Sequence, residues 1–237
     1  MAAVRSVLAI GAHPDDLELL CAGTLARYSR QGVKVFMCNA TDGSKGGMGG
    51  DVEEIRKVRR KEAGESARVI GANYIAGPFR DGELEINLDS RKTIIDIIRQ
   101  CSPDVVLAHH PNDYHPDHTA VSRLVIDAIY QVAIPHFHTD HPALDAVPLL
   151  YFFDTVSGMG FLPEEYVDIT EVIELKKKML MAHASQIDFV REHHGEDMLE
   201  KVEITGRYRG YQCNAKYAEC FVASQSWPRG TTHRVLP

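Results

Sequence analysis

Short apolar runs alternate with amphipathic stretches along this chain, and that alternation predicts its elements. Val4 to Ile10 is apolar enough for a buried first strand. A helix is expected from about Asp16 to Arg30, with Leu17, Leu20, Leu25 and Ala26 as its buried stripe and Gly32 just past its end. Val33 to Cys38 reads as a second strand, so the order strand, helix, strand predicts a right-handed βαβ unit with a parallel sheet. Asp51 to Ile70 is a charged helix, and Asn73 to Ala76 a short strand. A helix near Ser90 to Gln100, with Ile94, Ile95, Ile97 and Ile98 inward, leads to a buried strand at Val105 to Ala108. Another amphipathic helix follows, roughly Thr119 to Val132. Leu149 to Phe153 is a strand, and Asp168 to Ala184 a helix with Thr170 as N-cap and Glu171 and Glu174 in its first turn. The last third is less patterned, and Tyr217 to Ala223 fits a strand or a short helix.

Between these elements, Thr41 to Gly50 is glycine-rich and reads either as a flap beside a site or as a plain connection. It lacks the GK[ST] ending of a P-loop, and no GxGxxG follows the first strand, which argues against a nucleotide-binding module. Ile134 to Pro148 is a loop bearing His136, His138 and His141, which read as exposed loop residues or as a second metal or substrate contact.

Composition narrows the class. Of 237 residues, 44% are hydrophobic and 25% charged, as in an ordinary globular chain that fits one large domain. The net charge of -7 disfavours nucleic acid and anionic membrane surfaces as partners, although local basic residues can still bind an anion. Cys21, Cys38, Cys101, Cys213 and Cys220 are odd in number and scattered, as expected of reduced thiols in a cytosolic protein. No apolar run reaches the length of a membrane span. The expectation is a soluble cytoplasmic protein without stable membrane insertion.

The chemistry lies at two corners. Ala12-His13-Pro14-Asp15-Asp16 follows the first strand, and His115-Pro116-Asp117-His118 lies shortly after the strand Val105 to Ala108. Each precedes a helix, and proline suits a helix start because its missing N–H has no partner to lose there. Ligands bind outside the carboxyl ends of strands in open α/β sheets. His13, Asp16, His115 and His118 are candidate metal ligands, with Asp15 and Asp117 beside them. Two histidines and one aspartate are a catalytic zinc set with one position left for water, and a spare carboxylate is then a general base. A spare histidine can hold an oxyanion or donate a proton, its pKa raised by a carboxylate such as Asp117. Asp15 or Asp16 as a simple helix cap is the competing reading. His109 and His110 either line the site or lie on a surface loop, Trp227 is a sugar-stacking platform, an oligomer contact or simple packing of the tail, and His183 and His233 carry no particular argument.

These two motifs, with Gly23 to Ala26, the Thr41-Asp42-Gly43 turn, Arg59 to Ala63, Asp81-Gly82 and Tyr217-Ala218-Glu219, resemble the PIG-L/LmbE-like family of zinc-dependent N-acetylglucosaminyl deacetylases, especially its bacillithiol-type branch. The resemblance implies a single-domain Rossmann-like fold over residues 1–237, with a mainly parallel sheet and helices on both faces. It implies one zinc per chain on His13, Asp16 and His118, and Asp15 as the base. It makes His115 the oxyanion or leaving-group residue, oriented by Asp117, although His115 as fourth ligand stays open. Arg59 and Asp42 fall at the implied substrate pocket. The implied reaction removes acetyl from an N-acetylglucosamine-type conjugate in a homo-oligomeric enzyme. The alternative is hydrolysis of another amide or of a phosphoester on the same metal site. Leu17, followed by Glu18, stands where that family usually carries glutamate. The aglycone stays open.

Overall fold

A computed structural model describes residues 4–226, so Trp227 and His233 lie outside the described residues. Five strands run parallel: β1 (Ser6–Gly11), β2 (Lys34–Thr41), β3 (Asn73–Phe79), β4 (Val105–Ala108) and β5 (Leu149–Phe153). Two more, β6 (Glu165–Asp168) and β7 (Ala218–Ala223), extend the sheet, with β7 antiparallel to both β5 and β6. The order is β3-β2-β1-β4-β5-β7-β6. Connections therefore leave β1 in one direction and β4 in the other, and this reversal opens a crevice at the strands' carboxyl ends.

Side chains alternate along β1, so Val7 and Ala9 enter one core and Leu8 and Ile10 the other. The first core packs under α1 (Asp16–Leu20), α2 (Ala22–Arg30), α3 (Val52–Val69), α6 (Ile173–Met181) and α8 (Met198–Cys213). The second packs under α4 (Leu88–Cys101) and α5 (Pro116–Ile129). A further helix, α7 (Ala184–His194), has little buried surface beyond Gln186. The expected α/β architecture, with a mainly parallel sheet covered on both faces, is the observed one.

Three sequence expectations are corrected. The first helix does not run unbroken to Arg30, because it breaks at Cys21, which leaves helical geometry. A buried ion pair satisfies the break. Glu219 accepts from the Gly23 and Thr24 amides at 2.9 and 2.7 Å, capping α2, while Lys176 Nζ donates to the Leu19 carbonyl at 2.9 Å and pairs with Glu219. The helix expected over Asp168 to Ala184 is instead the end of β6, a 3-10 turn at Thr170–Val172 and then α6. Thr170 is no N-cap, since its hydroxyl accepts from the Tyr217 amide. The unassigned tail contains α7, α8 and β7. The buried stripe of α8 runs Met198, Val202, Gly206, Gly210, and its two glycines hide it from a hydrophobicity pattern. At Gly210 an added Cβ would stand 2.6 Å from the Ala215 carbonyl.

Candidate active site

Neighbouring β1 and β4 deliver both motif corners to the same sheet edge. Pro116 opens α5, His115 is its N-cap, and both His118 and Asp117 are buried in its first turn. At the other corner the chain turns sharply at Asp15, whose φ of 110° is unusual for any residue with a side chain.

The expected ligands His13, Asp16 and His118 meet. Asp16 Oδ2 lies 3.4 Å from His13 Nδ1, and Asp16 Oδ1 lies 3.3 Å from His118 Nε2. Two ligand atoms at zinc distances and tetrahedral angles stand about 3.4 Å apart, so each pair has the spacing of two ligands of one ion, each through a different oxygen of Asp16. The far nitrogen of each histidine faces a carboxylate. His13 Nε2 is 3.1 Å from Asp117 Oδ2 and 3.3 Å from Asp81 Oδ1, and His118 Nδ1 is 3.1 Å from Asp113 Oδ2. Such carboxylate–histidine pairs orient metal ligands and raise their basicity.

Electrostatics points the same way. Burial opposes protonation of His13, yet Asp117, Asp16 and Asp81 lift it well above its ordinary value. Burial likewise opposes a charge on His118, but Asp16 and Asp113 carry it to about 9. Burial also opposes ionisation of Asp16, which His118 and His109 nevertheless hold well below the usual carboxylate range. An acidic cage that draws protons onto its histidines is a donor set suited to a cation. Among the described residues, three groups place one ligand atom from each member close enough to share an ion: His13, His115 and His118; Asp16, His109 and His118; and His13, Asp81 and Asp117. The expected ligands are spread over these overlapping groups, and His115 is within reach as a further ligand.

Asp15 sits deep in the same cavity. Burial raises its pKa to about 6 against the opposing pull of the Arg59 guanidinium. Arg59 is itself buried on α3, donating to the Gly43 and Pro14 carbonyls at 2.7 and 2.6 Å and lying 3.4 Å from Asp15 Oδ1. The glycine-rich loop is therefore more than a connection. A Cβ at Gly43 would come within 2.8 Å of Arg59 and Pro14, and one at Gly46 within 2.3 Å of Arg59.

Three expectations for side chains change. Asp117 does orient His115, but through its backbone N–H, which donates to His115 Nδ1 at 3.2 Å, while its carboxylate serves His13 and the Gly82 amide. The His115 pKa is lowered rather than raised, by burial and by the charges of His13 and His118. Asp42 does not line the catalytic cavity. It binds the Ser44 and Asp81 amides and Arg56, and faces a separate cavity.

Asp113 was not singled out from sequence, Asp81 entered only as part of a turn, and His109 was left between the site and a surface loop, which its burial decides for the site. His109 is fully buried at the end of β4, stacked 3.9 Å from His118, and the Ala12 amide donates to its Nε2. Its place directly after a central strand was the available signal. Leu17 occupies a core position, and Glu18 beside it is buried against Ser66 and His183. His136, His138 and His141 belong to no candidate metal group among the described residues. Their loop is held by Arg99 and by Asp96, which meets His141.

The cavity over this floor measures about 500 Å³. Leu19, Val156, Phe189 and Met198 give it an apolar wall, and Lys45, Gln186 and Lys201 add polar groups. Among the described residues, no helix is long and apolar enough to cross a membrane.

Comparison with known proteins adds three findings. Residues 8–129 match the family model described as PIG-L, GlcNAc-PI de-N-acetylase. The chain is 30% identical over 226 residues to a diacetylchitobiose deacetylase of Thermococcus kodakarensis, covering 91% of this chain and 82% of that one. It is 30% identical to a probable N-acetyl-alpha-D-glucosaminyl L-malate deacetylase 2 of Bacillus cereus, over 79% and 86% of the two chains. Its fold is similar to the inhibitor-bound N,N'-diacetylchitobiose deacetylase of Pyrococcus horikoshii, with TM-score 0.82, 29% identity and 93% and 84% coverage.

Proposed function

Because the chain belongs to the PIG-L family, we propose that it is a zinc-dependent hydrolase of the N-acetyl group on small N-acetylglucosamine-type conjugates. Water and the amide become acetate and a free amino sugar. The observation that carries this reading is the joint placement of Asp15 and His115 on the cavity floor formed by His13, Asp16 and His118. These last three residues would hold the zinc. When bound, the ion supplies a Lewis acid that polarises the acetyl carbonyl and makes water acidic.

The remaining steps belong to the chain. With its pKa near 6, Asp15 is ionised at neutral pH and takes the proton of the attacking water. His115 accepts the Asp117 amide at Nδ1, so its neutral ring carries hydrogen on Nε2. That N–H donates to the carbonyl oxygen as negative charge develops. A histidine kept neutral is a poor proton reservoir, so Asp15 returns its captured proton to the departing nitrogen. Arg59 holds the corner that carries Asp15.

The cavity is of the size that holds small molecules. The relatives are named for conjugates of N-acetylglucosamine with a second sugar or with malate, which supports a substrate with a short aglycone. A cytoplasmic homo-oligomer completes the reading. Ile204, Tyr208 and Tyr211, exposed at i, i+4 and i+7 on α8, support self-association.

The test is a free-amine assay over N-acetylglucosaminides differing in aglycone, with zinc and with chelator, beside phosphodiester controls. Zinc-dependent release of equal acetate and amine is expected. Phosphate release without amine release would replace this reading by the phosphoesterase alternative. Sedimentation of the purified chain checks the oligomer.

A further inference from the structure

Behind the Pro14 corner lies a second cavity of about 310 Å³ that shares no lining residue with the catalytic one. Three arginines line it, Arg56 and Arg60 on α3 and Arg80 just after β3. Arg56 and Arg60 are four residues apart and so share a helix face, an arrangement in which like charges repel. Asp42 is the one carboxylate lining the cavity, and its Oδ2 is committed to Arg56 Nε at 2.8 Å. Its Oδ1 accepts from the Ser44 and Asp81 amides, so it has little left to offer the other arginines. Among the described residues the Arg60 and Arg80 side chains have no hydrogen-bond or ion-pair partner. Tyr74 adds a phenol on the same wall. Arg56 is spoken for, since its guanidinium also donates to Glu53 at 2.9 Å, which leaves Arg60 and Arg80 as two uncompensated cations beside the cavity in a chain of net charge -7.

We propose that this cavity binds the phosphate group of a small phosphorylated molecule, with Arg60 and Arg80 as the principal ligands. Guanidinium forks match phosphate oxygens two at a time, and such charge-assisted bonds exceed neutral ones in strength. The cavity is larger than a lone phosphate needs. Pro78, Phe79 and the Tyr74 ring supply apolar walls for the carbon skeleton that carries it. The site is distinct from the proposed chemistry, and its ligand need not be the substrate.

Calorimetric titration of the intact protein at low ionic strength, with inorganic phosphate and with glucose 6-phosphate, tests the proposal. The sugar phosphate should bind once per chain and more tightly than free phosphate. The double variant Arg60→Gln/Arg80→Gln should weaken it about tenfold or more, since loss of one charge-assisted bond already amounts to that factor. Both positions are exposed, and equal melting of the two proteins without ligand verifies that the variant is folded. Unchanged affinity in the variant, or no binding to wild type, overturns the site. Equal affinity for free phosphate and ester overturns the assignment to a phosphorylated molecule.

Discussion

Arg59 reaches back across 45 positions to donate to the carbonyl of Pro14, and in doing so brings its charge to 3.4 Å from Asp15. One side chain thereby fixes the backbone of the Pro14 corner and limits how far burial can raise the pKa of the proposed base.

Removing that charge should shift the pH profile. Burial raises Asp15 and Arg59 opposes the rise, so Arg59→Gln should raise the Asp15 pKa further. A base works when deprotonated, so activity climbs with pH through that pKa, near 6 in the wild type. The variant's climb should move to higher pH, as read from kcat/KM against pH. An unmoved acidic limb would show that Arg59 does not act on Asp15.

Asp15→Asn keeps the size of the side chain and removes its basicity. Turnover should fall by roughly 10²–10⁴, the usual weight of a positioned acid–base group. Zinc content should stay unchanged, because Asp15 is not among the three proposed ligands. Metal analysis alongside steady-state assays separates the two effects.

Asp113 stands behind His118 and should tune metal retention rather than chemistry. Asp113→Asn is expected to weaken zinc affinity about 10- to 100-fold, with kcat largely restored by excess zinc. Competition with a chromogenic chelator measures this. A metal bound at the proposed site would stabilise the folded state by mass action, so chelation should lower Tm in the wild type.

Gly43 has a φ of 63° and faces Arg59 and Pro14. Gly43→Ala should therefore displace Arg59 and reduce kcat, besides straining the backbone by about 1 kcal/mol or more. Full activity with an unchanged denaturation midpoint would falsify the packing role of this loop.

Glu219→Ala leaves Lys176 buried without its partner and uncaps α2. The expected loss is about 3–5 kcal/mol in chemical denaturation, because an orphaned buried charge is costly. A loss below about 1 kcal/mol would place the helix cap elsewhere.

Much of this molecule was legible because its first half obeys simple periods. β4 and β5 stand at the expected bounds, and Leu17, Leu20, Leu25 and Ala26 are all buried as the helical stripe required. The break at Cys21 was hidden because its cap comes from Glu219, nearly two hundred positions away. The motif fragments at Gly23 to Ala26 and at Tyr217 to Glu219 are one structural unit, a helix start and the carboxylate that caps it. At the site, the meeting of His13, Asp16 and His118 was readable from two matched corners. Asp81 was not, because its part is set by a contact with His13 across the fold. The backbone route from Asp117 to His115 was equally hidden, since a sequence shows side chains and not which amide meets them.

The positive φ of Asp15 has a consequence for anyone who evolves this protein in the laboratory. Glycine relaxes at that position, and the strain released is of order 1–3 kcal/mol. A library screened for heat resistance alone would therefore reward Asp15→Gly and enrich sturdier chains that have surrendered their proposed base. Selection must read turnover and melting together, because at this one residue the two demands pull in opposite directions.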